Sequence, residues 1–278
     1  MAIDFLEDDM KFFVQDVMIR EGMKVPSYIT MFSHDDVRND DVLVVGDNDL
    51  FYIFSSIQTA NYINRPDRNF VQKRRFVEYS RNFEGEYFKH HVWSCGIEPC
   101  YMLNETCIYL QFGKLVAMSD QIRMMFGDKI FIKPDSAAKT FTGFSCTIDE
   151  LAFETMAMRQ TSHINEHEMC MVTKHMDISD TEYRVWIVDS KPATAACYGW
   201  TDEIDDFVPD NVMKSASVVG NSMFADHYTS NFVADFCLLD GKPKLIELNV
   251  MATSGWYDGM DIDALTSALK IYNIDRIG

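Results

Sequence analysis

The chain has 278 residues, 47% of them hydrophobic, and a formal net charge of −18, which is apolar material enough for one large or two modest domains of an ordinary globular protein. That charge argues against broad binding to nucleic acid or anionic membrane, because both need a surface excess of Lys and Arg. The seven cysteines are irregularly spaced without a CxxC pair, and MAIDFLEDDM lacks an apolar signal core; with no apolar run of the ~20 residues that cross a bilayer, reduced thiols and a cytoplasmic location are expected.

Residues 1–20 fit either a helix through Leu6, Met10, Phe13 and Val17 or a first strand at Phe12-Phe13-Val14. Asp41 to Gly46 reads as a buried strand turned at Asp47-Asn48, and Leu50 to Ile63 as a following helix, so the pair resembles a βα unit. In Asp67 to Arg81 the cations Arg68, Lys73, Arg74, Arg75 and Arg81 interleave with aromatics. Stacking on single strands uses such a pattern, but the stretch is short and balanced by nearby acids, so a solvated helix face is expected. His90, His91, Cys95 and Cys100 lack the paired spacing of a zinc site and are expected to pack.

Ser119-Asp120 is expected to cap a short helix ending near Gly127. Ile130-Phe131-Ile132 forms a strand that delivers Lys133 to its end, where Pro134 stops the run. Lys139 follows, then Phe141-Thr142-Gly143, where a glycine would let the backbone approach a phosphate. Thr147 and Glu150 form a capping box for a helix from Ile148 to about Arg159, with Leu151, Met156 and Met158 as core candidates. His163, His167 and Cys170 are not expected to hold a metal, since HINEHEMC is not HExxH. Strands are predicted at Met169 to Lys174, Glu182 to Val188 and Ala193 to Trp200, the last two joined by a turn at Asp189 to Pro192. Arg184, in the apolar strand YRVWIV, needs an anionic partner, either a protein carboxylate or a phosphate.

After an acidic loop, Asn231 to Trp256 carries two apolar runs about Asp240-Gly241, the pattern of a β-hairpin. Alternation puts Glu247 and Asn249 on one face, with Ile246, Leu248 and Val250 on the other. A two-residue turn would set Asp235 opposite Ile246, on the wrong face; a three-residue loop with Gly241 as a bulge pairs Asp235 with Leu245 and restores it, so the bulged turn is expected. Asp235, Glu247 and Asn249 then make an incomplete hard-oxygen shell suited to Mg²⁺ that takes phosphate oxygens as further ligands. The plainer reading is that both acids face solvent. Asp235→Asn is expected to spare folding. A final helix is predicted from about Asp261 to Tyr272.

The order strand, Lys133, loop, Lys-Thr-Phe-Thr-Gly, capped helix, strand, Glu-Tyr-Arg-Val-Trp-Ile-Val, then Asp235 followed twelve residues later by Glu-x-Asn resembles the ATP-grasp superfamily. Within it, WSCGIEPCYMLNETC and IFIKPDSAAKTFTG resemble the clade named for two arginines and a lysine, frequent in bacteriophages; the resemblance covers about Val92 to Leu269. It implies an α+β ATP-grasp fold, two α+β subdomains clamping ATP, preceded by an α/β N-terminal domain. The expected division is 1–118 for that domain and 119–278 for the ATP-grasp domain, with subdomains of about 119–170 and 171–278. It further implies that Lys133, Lys139 and Arg184 bind phosphates, that Met171, Val172, Thr173 and Lys174 link the subdomains and contact adenine through backbone groups, and that Asp235, Glu247 and Asn249 hold Mg²⁺. The clade usually has arginine where this chain has Lys133, which keeps the charge and loses the bidentate fork. The implied activity is ATP-dependent carboxylate-amine ligation through an acyl phosphate, on a peptide or protein among other acids. A phosphotransferase and a non-catalytic nucleotide-binding or virion-associated protein are the alternatives.

Overall fold

The computed structural model describes residues 2–3, 53–54, 85–136, 140–162, 164–199, 207–251, 254, 257, 259–261, 263–265 and 267–269. Strands β1 (Ala2–Ile3) and β2 (Ile53–Phe54) pair in parallel. Part of the run expected as a helix from Leu50 is therefore strand, in keeping with the aromatic and β-branched content of Phe51-Tyr52-Ile53-Phe54. The other elements expected before residue 85, from the two readings of residues 6–17 to the basic stretch at 67–81, lie outside the described residues.

After the short helix α1 (His90–Trp93), a first antiparallel sheet is built from β3 (Cys107–Gln111), β4 (Lys129–Pro134), β5 (Phe144–Thr147) and β6 (Met169–Lys174), in the order β3-β6-β4-β5. Alternation in KIFIKP buries Ile130, Ile132 and Pro134 and leaves Phe131 and Lys133 on the opposite face. The core is completed by helix α2 (Ser119–Phe126), through Ile122 and Phe126, and helix α3 (Leu151–Ser162), through Leu151. Ser119 is the first residue of α2 rather than its cap, and Gly127, at φ 86°, ends the helix in a conformation that favours glycine. The Glu150 carboxylate accepts from the Thr147 N–H at 3.0 Å and its hydroxyl at 2.7 Å, but residues 148–150 form a turn and the helix starts at Leu151. Met158 packs at the core margin while Met156 is exposed. Five residues from Leu151, Met156 is rotated off the face to which Met158 returns.

The second antiparallel sheet comprises β7 (Thr181–Val188), β8 (Lys191–Gly199), β9 (Phe232–Leu239) and β10 (Lys242–Asn249), in the order β10-β9-β7-β8. Between β8 and β9 come α4 (Asp210–Gly220), which buries Val212, Ser215, Ala216 and Val219 at helical spacing, and α5 (Met223–His227). Residues 175–180 join the two sheets. Near the end of the described residues, Asp261 caps a helical stretch at 263–265 and 267–269, its Oδ1 accepting from Ala264 N–H at 2.9 Å. Among the described residues no helix is long and apolar enough to cross a membrane, and all seven cysteines are free thiols.

The β9–β10 hairpin has its irregularity in the strand and not at the turn. Asp240 (φ 51°) and Gly241 (φ 73°) form a two-residue turn that pairs Leu239 with Lys242, as the doubly left-handed I′ geometry requires. The register then shifts between Leu245, opposite Phe236, and Glu247, opposite Asp235. Ile246 is thus the bulged residue, and the expected three-residue loop with Asp235 opposite Leu245 is corrected. The bulge resets the alternation, so Leu245 and Leu248 are both buried and Glu247 comes to the face of Asp235.

One ion pair crosses the middle of this sheet. Arg184 on β7 stands opposite Asp235 on β9, donating from Nε to Oδ1 and from Nη2 to Oδ2, each at 2.8 Å. Asp235 is fully buried and Arg184 nearly so. Burial opposes the Arg184 charge, and the Asp235 carboxylate outweighs it, so the guanidinium pKa lies above its usual range. Removing one partner strands a buried charge, at a cost of about 3–5 kcal/mol, whereas an apolar pair of similar volume restores most of the stability. Asp235→Asn and Arg184→Met should therefore each lower the urea midpoint markedly, and Arg184→Met/Asp235→Leu should recover much of it, whereas the sequence alone leads to the expectation that Asp235→Asn spares folding. Single variants with unchanged midpoints would mean that the pair is not sealed from water.

Candidate active site

The two sheets face each other across a cleft of about 740 Å³. The first sheet contributes Phe131 and Lys133, the segment between β4 and β5 adds Phe141, Thr142 and Gly143, and the second sheet contributes Glu182, Arg184, Tyr198, Glu247 and Asn249. Gly143 serves the packing of this wall: a Cβ there would stand 2.7 Å from Phe131 Cζ and 3.1 Å from Lys133 Cβ. Residues 137–139, and with them Lys139, lie outside the described residues.

Lys133 spans the cleft. Its side chain is only 12% exposed, with Nζ 3.8 Å from Glu247 Oε2, and Nζ donates to the Ile246 carbonyl at 3.2 Å. The bulge that sets the hairpin register thus also supplies the acceptor that holds the lysine. Asn249 Nδ2 lies 2.8 Å from Asp235 Oδ2 and 3.1 Å from Glu247 Oε1, so the three predicted metal-ligating side chains converge on one point.

That donor set fits a hard divalent cation: two carboxylates and an amide, within reach of one another and beside a lysine. Among the described residues no three His, Cys, Asp or Glu side chains cluster as a metal site, so a cation here depends on the Asn249 amide turning its oxygen inward, a rotation that leaves the side-chain shape unchanged. Asp235 engages Arg184 through both oxygens, and its Oδ2 also accepts from Asn249 Nδ2.

Met171, Val172, Thr173 and Lys174 are placed elsewhere. They belong to β6, with Met171 opposite Tyr109 on one side and Lys133 on the other. Ladders on both edges take the backbone groups of Met171 to Thr173, and none of the four residues lines the cleft. The expectation that they form the link between subdomains is corrected to 175–180. A segment read as a strand by its apolar run is the interior of a sheet when both its neighbours are long enough to cover it.

Sequence reasoning missed Glu182, Tyr198, Tyr257 and His90 as parts of the site, and all of them line the cleft. Glu182 shares the Arg184 face of β7 by alternation, the one signal available beforehand. Its carboxylate accepts from the Tyr198 hydroxyl at 2.5 Å; burial pushes its pKa up, and this hydrogen bond opposes the shift. The Arg184 guanidinium carbon lies 5.2 Å and 4.9 Å from the ring centres of Tyr198 and Tyr257, which stack on each other at 4.3 Å. His90 is buried as expected and His91 pairs with Asp135, but Cys95 and Cys100 are exposed.

The model of an ATP-grasp domain family, the third of the clade named for two arginines and a lysine, matches residues 53–269. Among solved structures, the D-cycloserine synthetase DcsG aligns at TM-score 0.62 and 10% identity over 100% of this chain and 99% of that one. The ATP-grasp ligase PsnB in complex with its minimal precursor aligns at 0.58 and 11%, over 98% of each chain. D-alanine–D-alanine ligase from Bacillus anthracis aligns at 0.51 and 10%, over 99% of this chain and 98% of that one. No curated protein matches the chain by sequence. With two antiparallel sheets facing across a cleft lined by Lys133, Arg184 and the acid-amide group, and a family match over most of its length, the chain belongs to the two-arginine-and-lysine clade of the ATP-grasp superfamily.

Proposed function

We propose that this protein is an ATP-dependent carboxylate-amine ligase that forms an amide or peptide bond through an acyl phosphate. The observation that carries the reading is the meeting of Lys133 from one sheet with Asp235, Glu247 and Asn249 from the other, at one side of the cleft. Membership of a superfamily whose solved relatives in fold include ligases supports it. In the reaction, a carboxylate oxygen attacks the γ-phosphorus of ATP and ADP leaves; the amine then attacks the acyl carbon, loses a proton and displaces inorganic phosphate. Such chemistry depends on position and charge neutralisation more than on a protein nucleophile.

Lys133 supplies a largely buried positive charge for phosphate oxygens, where solvent screening is weak. Lys139 and Arg184 are assigned to the same phosphates, Arg184 from the face of the sheet that lines the cleft. Asp235, Glu247 and Asn249 would hold Mg²⁺, which when bound offsets charge on the triphosphate. The aromatic walls at Phe131, Phe141, Tyr198 and Tyr257 keep water from the reacting groups. A peptide or protein acid is included in the proposal because PsnB, alike in fold, is described with a minimal precursor bound.

Titration of ATP by calorimetry, with and without Mg²⁺, checks the site. Lys133→Ala should weaken Mg-ATP binding about tenfold or more, with a loss that shrinks as salt rises. Glu247→Gln should abolish the gain that Mg²⁺ gives to ATP binding while the protein stays folded, and Asp240→Asn, at a left-handed turn position that Asn tolerates, should bind as the parent does. Equal behaviour of Glu247→Gln and Asp240→Asn would remove the metal assignment.

The reaction class is checked by mass spectrometry of cell extract incubated with ATP and the protein. A ligase yields a condensed product lighter by one water than its two substrates, together with ADP and phosphate. A stable product heavier by a phosphoryl group, accumulating with ADP but with no condensed product and no release of phosphate, would overturn the ligase reading in favour of a phosphotransferase.

A further inference from the structure

Helix α1 brings to the cleft wall a buried nitrogen that nothing among the described residues satisfies. His90 is 3% exposed, packs edge-on against Trp93 with ring centres 4.5 Å apart, and lines the same cleft as Lys133 and Glu247. Its Nδ1 lies 2.7 Å from the Tyr109 hydroxyl. Its Nε2 is buried without a hydrogen-bond partner.

The neighbours decide where the protons lie. Burial, reinforced by the charges of Lys133 and His91, pushes the His90 pKa down to about 3, so the ring is neutral and carries one proton. Burial pushes the Tyr109 phenol up, so it keeps its proton too. The phenol also meets the Cys107 thiol at 3.5 Å and the Ser94 side chain; with its proton on the side of His90 Nδ1, the imidazole proton is on Nε2. In that tautomer Nε2–H is an uncharged donor with no acceptor among the described residues, and buried donors of that kind are rare unless a ligand, ion or ordered water completes them.

An acceptor carried by a ligand in the cleft that His90 lines would complete Nε2. The groups that act on the ring electrostatically include Lys133 and Glu247, the phosphate-facing and metal-facing groups of the proposed site. We propose that His90 Nε2–H donates a hydrogen bond to an oxygen of the terminal phosphoryl group of the bound nucleoside triphosphate, beside Lys133, with Tyr109 holding the ring in the required tautomer. This rests on the cleft being the ATP site. A neutral donor there orients the phosphoryl group without adding charge to a site that already contains Lys133, and it surrenders no proton during transfer.

The test is calorimetric titration of Mg-ATP and Mg-ADP into the full chain and into His90→Phe, His90→Gln and Tyr109→Phe. His90→Phe should bind ATP about tenfold or more weaker and ADP nearly as the parent does, the loss expected for one hydrogen bond to a charged acceptor. His90→Gln, whose amide can place an N–H near the Nε2 position, should recover most of the ATP affinity, and Tyr109→Phe should fall between. A folded His90→Phe that binds ATP like the parent, or that loses ATP and ADP equally, overturns the assignment while leaving the ATP site standing. A parent protein that binds neither nucleotide overturns the ATP site and this proposal with it. Should His90→Phe fail to fold, the His90 ring ¹⁵N resonances of the parent are read instead. They should shift with a non-hydrolysable ATP analogue and not with ADP, and resonances indifferent to both overturn the proposal.

Discussion

The cleft depends on one extra residue in an edge strand. Without Ile246, β10 would be a regular partner of β9 with no carbonyl turned out of the ladder at that point; with it, the alternation is reset and two functions are met at once. Glu247 stands directly opposite Asp235, and the Ile246 carbonyl becomes the acceptor for Lys133 from the other sheet. The preceding carbonyl is used as well, since Leu245 accepts from Leu103 N–H at 2.9 Å, which ties the segment following α1 to the same strand. An edge strand normally leaves such groups to solvent or to another chain. Here they fasten the first sheet and the α1 segment to the second, and the walls of the cleft are the parts so fastened.

Within these walls the Arg184–Asp235 pair is costly to bury and strongly held. Its Coulomb attraction offsets desolvation only because the geometry is bidentate and the guanidinium also lies against two aromatic rings. A hydrophobic pair would fill the same space, so stability alone does not account for the two charges. Their position does: Asp235 is one side chain from Glu247, through Asn249, and Arg184 lines the cleft two residues from Glu182. The pair fixes both rotamers before any ligand arrives, so that less ordering remains to be done on binding.

Much of this is legible in the chain, and the reason lies in period. Alternation alone groups Glu247 with Asn249 and sets Lys133 apart from Ile130 and Ile132, as the structure does. The sequence also brings Asp235 to the face of Glu247, but by setting it opposite Leu245, where the structure sets it opposite Glu247 through a different device. Glycine is a visible marker and draws the irregularity to Gly241, whereas an isoleucine in a bulge carries no mark in composition. The same blindness to pairing displaces the link between the sheets, because β6 is recognised as covered on both edges only once β3 and β4 are known to flank it. His90 is invisible in a stronger sense: the role proposed for it rests on a hydrogen bond it lacks among the described residues, and no local pattern encodes that.

The charge distribution gives the last constraint. A chain with a net charge of −18 has no surplus of cations to direct at an anionic ligand, and its cleft gathers further acids in Glu182 and Glu247, with the buried Asp235 behind Asn249. Left unpaired, these would repel a triphosphate. Each is instead engaged: Asp235 with Arg184, Glu247 beside Lys133 and Asn249, and Glu182 by the Tyr198 hydroxyl. The cations that a phosphate would need are thus the ones that already hold the acids. A nucleotide entering alone has to compete with carboxylates for Lys133 and Arg184, whereas one entering with a divalent cation gives those carboxylates a replacement partner. If the cleft is the ATP site proposed above, the interlocked pairs would favour the metal-nucleotide complex over either component, through the wiring of the cleft rather than its net charge.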